Sequence, residues 1–166
     1  DALSAVAVAA ATGARFIRVN VHTGAAVTDQ GLVQGEAAAT LRAIARDAPG
    51  LAVFADVDVK HAAPLVPVAI ERAAADAVER GRASALIVTG EATGSPAPLG
   101  DVERIRTALP QVPVYVGSGV TEASVASVLK TADGVIVGSA VMEGGTAVRS
   151  VIEERSISFA KSARVA

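Results

Sequence analysis

The chain has no cysteine and no tryptophan, and only one methionine, one tyrosine and three phenylalanines among its 166 residues. Without cysteine there is no disulfide framework, no thiolate metal site and no sulfur nucleophile. Aromatic residues make up 2% and the formal net charge is −2. The stacking rings and basic face of a nucleic-acid binder are therefore both missing, and no nucleic-acid partner is expected. Long hydrophobic runs are missing too, although 51% of the residues are hydrophobic and the mean hydropathy is +0.46. Gly, Asp, Arg or Pro interrupts each run before the ~20 residues that a membrane span needs. The opening Asp1-Ala2-Leu3 carries no initiator Met, no basic n-region and no cleavage-like site, so a cytoplasmic α/β domain is expected.

What the chain does have is an unbroken alternation of helix-like and strand-like segments. An Ala/Val-rich helix over residues 2–11 stops at Gly13, a usual place for a C-terminal glycine. A strand over 15–22, a polar turn over 23–31 and a helix over 36–47 follow, the last closed by Pro49-Gly50. Next come a strand over 51–59, a loop over 61–67 and a helix over 68–80 closed by Gly81. A strand over 84–89, a loop over 90–98 and a helix over 101–109 lead to two apolar runs, 112–121 and 132–141. Each of these runs contains Gly-Ser, at Gly117-Ser118 and Gly138-Ser139. A helix over 122–130 separates them and a final helix covers 148–163. Strands alternating with helices of 10–14 residues imply βαβ units and a parallel sheet.

Two architectures accommodate five such strands. One is an open doubly wound sheet. The other is the last five-eighths of a TIM-like (β/α)8 barrel, whose eight strands take roughly 250 residues. Period-two reading favours one of them. On the first strand Ile17, Val19 and Val21 share one side, while Phe16, Arg18, Asn20 and His22 share the other. On the second, Val53, Ala55, Val57 and Val59 oppose Phe54, Asp56, Asp58 and Lys60. Helices cover both faces of a doubly wound sheet, where such charges are costly. A barrel turns one face to its lumen and its active-site mouth, so the expectation is a barrel. The helix at the start and the absent Met point to a fragment or processed chain, residues 1–166 forming one domain without the first three βα units. Two open sheet edges then imply a homo-oligomer or pairing with the missing N-terminal part.

The densest polar cluster is Asp56, Asp58, Lys60 and His61, facing Arg18, Asn20 and His22. A buried Lys between carboxylates serves as Schiff-base nucleophile, acid, base or phosphate contact, and an interior ion-pair network is the alternative. Asp and His together can hold a divalent cation, but their spacing here does not support one, and metal and cofactor stay unassigned. After the third strand, Thr89, Glu91 and Thr93 lie where ligand loops belong, as do Asp29 and Gln30 after the first. Glycines at buried strand ends let a ligand approach the backbone and free amides for an anion. Gly117, Ser118, Gly119, Gly138 and Ser139 thus describe the phosphate site that barrels build after strands seven and eight.

Several segments carry a family resemblance: residues 16–21, 28–31, 54–57, the Val59-Lys60-His61-Ala62 run, residues 87–94, 116–120 and 132–139. Together they resemble the BtpA/SgcQ family over nearly the whole chain up to Val141. The resemblance implies a TIM-like barrel to which this chain supplies strands four to eight. Its named member is linked to photosystem I biogenesis, and other members are labelled nucleoside triphosphatases or sugar-operon proteins. No Gly-x-x-x-x-Gly-Lys-[Ser/Thr] loop is present to support triphosphatase activity. The expectation is a small phosphorylated ligand handled by Asp/Lys/His acid-base or carbonyl chemistry of the aldolase, isomerase or hydrolase type. The alternative is a non-catalytic assembly factor for a membrane complex such as photosystem I.

Overall fold

The structure is a computed structural model that describes residues 1–29, 31–58, 62–89, 99–146 and 149–164, with Asp58 described by its backbone only. Helix α1 (Ala2–Thr12) begins on the Asp1 carboxylate, which accepts from the Leu3 and Ser4 amides, and ends at Gly13 in the left-handed conformation. There follow β1 (Phe16–Val19), β2 (Ala25–Thr28), β3 (Gly31–Gln34), α2 (Ala37–Asp47), β4 (Ala52–Asp58) and β5 (Ala62–Pro64). Helix α3 (Ile70–Ala75) continues as a π-helical turn over Asp76–Arg80. The chain then runs through β6 (Ala85–Val88), α4 (Leu99–Ala108), β7 (Val114–Val116), α5 (Val125–Val128), β8 (Gly134–Val135) and α6 (Glu153–Ala163).

Strands β1, β4, β6, β7 and β8 form one sheet in that spatial order, every neighbouring pair parallel. The spatial order is the sequence order, with no reversal. A doubly wound sheet needs a reversal to place helices on both faces. Winding in one direction with crossovers of one hand puts every helix on the same side, which is the barrel arrangement. Ile17, Val19 and Val53 pack with Val6 and Ala9 of α1 and with Ala43 and Ile44 of α2. Ala55, Leu86, Val88, Val114 and Val116 pack with Val102 and Ile105 of α4, Val125 and Val128 of α5, and Phe159 of α6. The opposite face carries Phe16, Arg18, Phe54, Asp56, Ile87, Tyr115 and Gly134, which the strand registers hold on one side. Phe16 stacks on Phe54 with ring centroids 4.5 Å apart, and Phe54 tilts against Tyr115 at 5.1 Å. Phe16 nevertheless remains 51% exposed.

The segment expected as a polar turn over 23–31 is instead half of a second sheet. Strands β2 and β3 form an antiparallel hairpin, and β5 pairs with the other edge of β2. The strand expected over 15–22 accordingly stops at Val19. These strands are three or four residues long and rich in Ala, and β2 gains half its pairing from residues some three dozen positions away. Neither length nor alternation marks them locally. The hairpin closes at its base where the Gly35 amide donates to the Gly24 carbonyl at 2.8 Å. A Cβ on Gly35 would stand 2.5 Å from the His22 carbonyl oxygen, so only glycine allows this crossing. The final segments are shorter than expected: β8 spans two residues, Ser139–Val141 is a 3-10 turn, and the last helix starts at Glu153.

Candidate functional site

Charge and glycine meet at the carboxyl ends of β1, β4, β6 and β7. The Arg18 guanidinium donates through Nε to Asp56 Oδ1 and through Nη2 to Asp56 Oδ2, both at 2.8 Å. The planar fork matches the carboxylate, the strongest geometry available to such a pair. The Asp56 side chain is 2% exposed and that of Arg18 34%. Burial holds the Asp56 carboxyl above its ordinary range, because lost hydration outweighs the hydrogen bonds and charge of Arg18. Arg18 is held above its ordinary value by the hydrogen bonds to Asp56.

Gly117, just past β7, lies against this pair. A Cβ there would stand 2.6 Å from Thr89 Cγ2, 2.7 Å from Ile87 Cγ2 and 3.3 Å from Arg18 Nη2. The Gly117 amide itself is not free for an anion, as the sequence suggested, because it donates to the Val88 carbonyl at 2.8 Å. Ser118 follows with its Oγ buried and without a hydrogen-bond partner among the described residues. Gly119 then adopts φ 75°, a conformation glycine accepts without strain. A buried hydroxyl without a partner, one residue along from the glycine that meets the guanidinium, can receive an oxyanion.

A cavity of ≈ 870 Å³ opens on the same strand ends. Asn20 and Asp56 form its floor, Ala26 of β2 and Ala62 and Pro64 of β5 one wall, and residues 65–70 with Ala73 the other. Asp56 therefore belongs both to the ion pair and to the cavity.

The structure brings Arg18, Asp56, Thr89 and Gly117 together, with Ser118 and Gly119 adjoining, and puts Asn20 in the cavity. It does not bring His22 there. That ring is 1% exposed and its Nε2 donates to the Gly81 carbonyl at 2.7 Å, at the end of the α3 segment. The expectation that His22 shares the open face with Arg18 and Asn20 fails because β1 ends before the alternation reaches it. Asp29 sits exposed at the tip of the β2–β3 hairpin. Gly138 and Ser139 follow β8, and a Cβ on Gly138 would meet nothing within 4 Å, so close backbone approach is a property of Gly117 and not of Gly138. Gln30, Lys60, His61, Glu91 and Thr93 lie outside the described residues, as does the Asp58 side chain. Among the described residues no three His, Asp or Glu side chains gather as metal ligands, and no helix is long and apolar enough to cross a membrane. Sequence reasoning missed the cavity wall at residues 65–68. The signal was Leu65-Val66-Pro67-Val68, an apolar stretch inside what reads as a loop.

The family model for the BtpA family matches residues 1–165. The chain belongs to the BtpA family. It is 45% identical over 145 residues to the photosystem I biogenesis protein BtpA of Synechocystis sp., a match covering 87% of this chain and 50% of that protein. The chain spans about half the length of this BtpA relative, and 61% of an uncharacterized relative from Pyrococcus horikoshii that is 42% identical. Among solved structures, this BtpA-family chain is similar to thiamine phosphate pyrophosphorylase from Pyrococcus furiosus. That match has a TM-score of 0.63 and 20% identity, covering 96% of this chain and 64% of that one. N-(5'-phosphoribosyl)anthranilate isomerase from the same organism matches with a TM-score of 0.59 and 19% identity, over 99% and 70%. Both neighbours are TIM-barrel-like enzymes, and at these identities the likeness shows the fold: α/β with a parallel sheet.

Proposed function

We propose that this BtpA-family chain forms strands four to eight of a TIM-like barrel that binds a small phosphorylated metabolite at their carboxyl ends. The observation that carries this reading is the Arg18 guanidinium close to Gly117, followed in the chain by Ser118, whose buried hydroxyl has no partner among the described residues. A phosphoryl group there would take hydrogen bonds from Arg18, the Ser118 hydroxyl and nearby backbone amides. An anion that engages one arm of Arg18 frees one oxygen of Asp56. A buried carboxyl whose pKa is raised by lost hydration is suited to exchange a proton with a ligand. Lys60 and His61, which follow β4 in sequence, are the further candidates for acid-base or carbonyl chemistry of the aldolase, isomerase or hydrolase type. The two barrel neighbours, whose names carry a phosphoribosyl group and a thiamine phosphate, support a phosphorylated ligand.

The test is calorimetric titration of the full chain with inorganic phosphate and ribose 5-phosphate. Binding is expected, weakened about ten- to hundredfold by Ser118→Ala, the size of one lost hydrogen bond to a charged group. Absence of binding at millimolar ligand, or wild-type affinity in Ser118→Ala, overturns the site. The name of the Synechocystis relative favours a second reading, a non-catalytic assembly factor. That reading gains if Lys60→Ala leaves the biological role intact in a deletion strain while phosphate binding is absent.

A further inference from the structure

We propose that the ligand held at Arg18 and Asp56 carries an uncharged apolar portion, an alkyl, prenyl or aryl group, which fills the ≈ 870 Å³ cavity beneath the small antiparallel sheet. The proposal rests on the anion reading above for the other end of the molecule. Continuity is the first argument. Asp56 lines the cavity, and its carboxylate lies 2.8 Å from the Arg18 nitrogen that faces Gly117. Arg18, Gly117 and Ser118 do not themselves line the cavity, so Asp56 is the residue across which a ligand with its anionic head on Arg18 would reach this space.

The second argument is the lining. The side chains of Ala26, Leu65, Val66, Pro67, Ile70 and Ala73 offer only carbon. The charged groups at the rim are committed within the protein. Asp76 holds Arg72 at 3.2 Å, and Arg104 is shared between Glu71 at 2.7 Å and Asp101 at 3.2 Å. Among the described residues, Asn20 and Thr23 are the uncharged polar side chains on the wall. A sugar ring would lose more hydrogen bonds to water than two such groups can replace, whereas an apolar group loses none. The volume lies within the ~300–1,000 Å³ usual for small-molecule sites. Leu65 and Val66, 58% and 64% exposed on the wall, would leave water when the site fills.

The experiment titrates the full chain with ethyl, butyl and hexyl phosphate below their aggregation limits, beside inorganic phosphate and hexanol. Affinity is expected to rise up to about fourfold per added methylene, the gain for full burial of a CH2 group. Val66→Asp changes an exposed position and places a charge on the apolar wall. It should flatten that slope and leave inorganic phosphate binding unchanged. If inorganic phosphate binds but chain length makes no difference, the apolar subsite is refuted and the anion site stands. If hexanol binds as tightly as hexyl phosphate and inorganic phosphate does not bind, the anion reading fails and the cavity stands. A slope unchanged by Val66→Asp refutes this location, and no binding by any probe refutes both readings.

Discussion

Replacing Arg18 with alanine removes the only charge among the described residues that pairs with the Asp56 carboxylate and leaves that group almost wholly buried. Breaking a buried pair from one side costs about 3–5 kcal/mol, because the remaining charge is uncompensated. Arg18 is about one-third exposed, so water can follow into the vacated space, and the expected loss lies near the lower end, about 3 kcal/mol. The reverse truncation, Asp56→Ala, leaves a guanidinium that can turn to solvent and should cost less, about 1–2 kcal/mol. The double replacement Arg18→Met with Asp56→Leu removes both desolvated charges and should fall within about 1 kcal/mol of the parent, giving a strongly favourable coupling in the cycle. Urea unfolding at several pH values is the assay. Burial raises the Asp56 carboxyl, and among the described residues Arg18 is what opposes that rise. A group whose pKa is higher folded than unfolded contributes its full stability below the unfolded value and loses it as pH climbs through the folded value. The gap between parent and Arg18→Ala should therefore narrow as pH falls from 7.5 toward 4.5. A cost under ~1 kcal/mol, or a gap of equal size at both pH values, refutes the account of the pair as a buried charge held by its partner.

Two further outcomes follow from local geometry. Gly117→Ala places a methyl group 2.6 Å from Thr89 Cγ2 and 2.7 Å from Ile87 Cγ2. It should cost about 1–3 kcal/mol by thermal unfolding and displace Arg18, and a neutral effect would show the strand end to be looser than described. Asp133 Oδ2 accepts from the Val114 amide at 2.8 Å and from Arg106 Nη1 at 2.5 Å, anchoring the start of β7. Its pKa is lowered by these hydrogen bonds despite the opposing and larger single effect of burial. Asp133→Ala should then cost about 1 kcal/mol at neutral pH. That difference should vanish as pH drops through the folded carboxyl's lowered value, and a difference that persists in acid would rule this role out.

The parallel sheet and its helix-covered face were legible because long β-branched runs alternate with amphipathic helices. The period-two contrast of Ile17 and Val19 with Phe16 and Arg18 appears in the burial of β1 itself. Arg18 and Asp56 were legible for the same reason, since a charge on an otherwise apolar strand has few places to go. Their mutual pairing was not, because it depends on the register Arg18↔Phe54, which no local pattern records. The small sheet escaped notice because β3 is exposed at every residue, so it shows no alternation, and its strands draw their stability from each other. His22 misled because alternation was extended three residues past the point where β1 stops pairing. Gly138 misled through its likeness to Gly117. The two dipeptides are identical, and only the neighbours of each glycine distinguish a tight approach from open space.

The order in which the main sheet is wound bears on how the molecule assembles. Each strand of β1, β4, β6, β7 and β8 docks beside the one completed before it, so the large sheet can be laid down progressively as the chain emerges from the ribosome. The small sheet cannot. Strand β2 waits for β5, which is synthesised only after β4 has been made, and its hairpin β3 edge is exposed along its whole length. The apolar cavity is walled by these late and lightly buried strands. In native-state hydrogen exchange the amides of β2 and β5 should open at lower free energy than those of β4 and β6. The scaffold that carries Arg18 and Asp56 would then stay closed while the chamber beside them breathes, which gives a bulky ligand a way in without unfolding the protein.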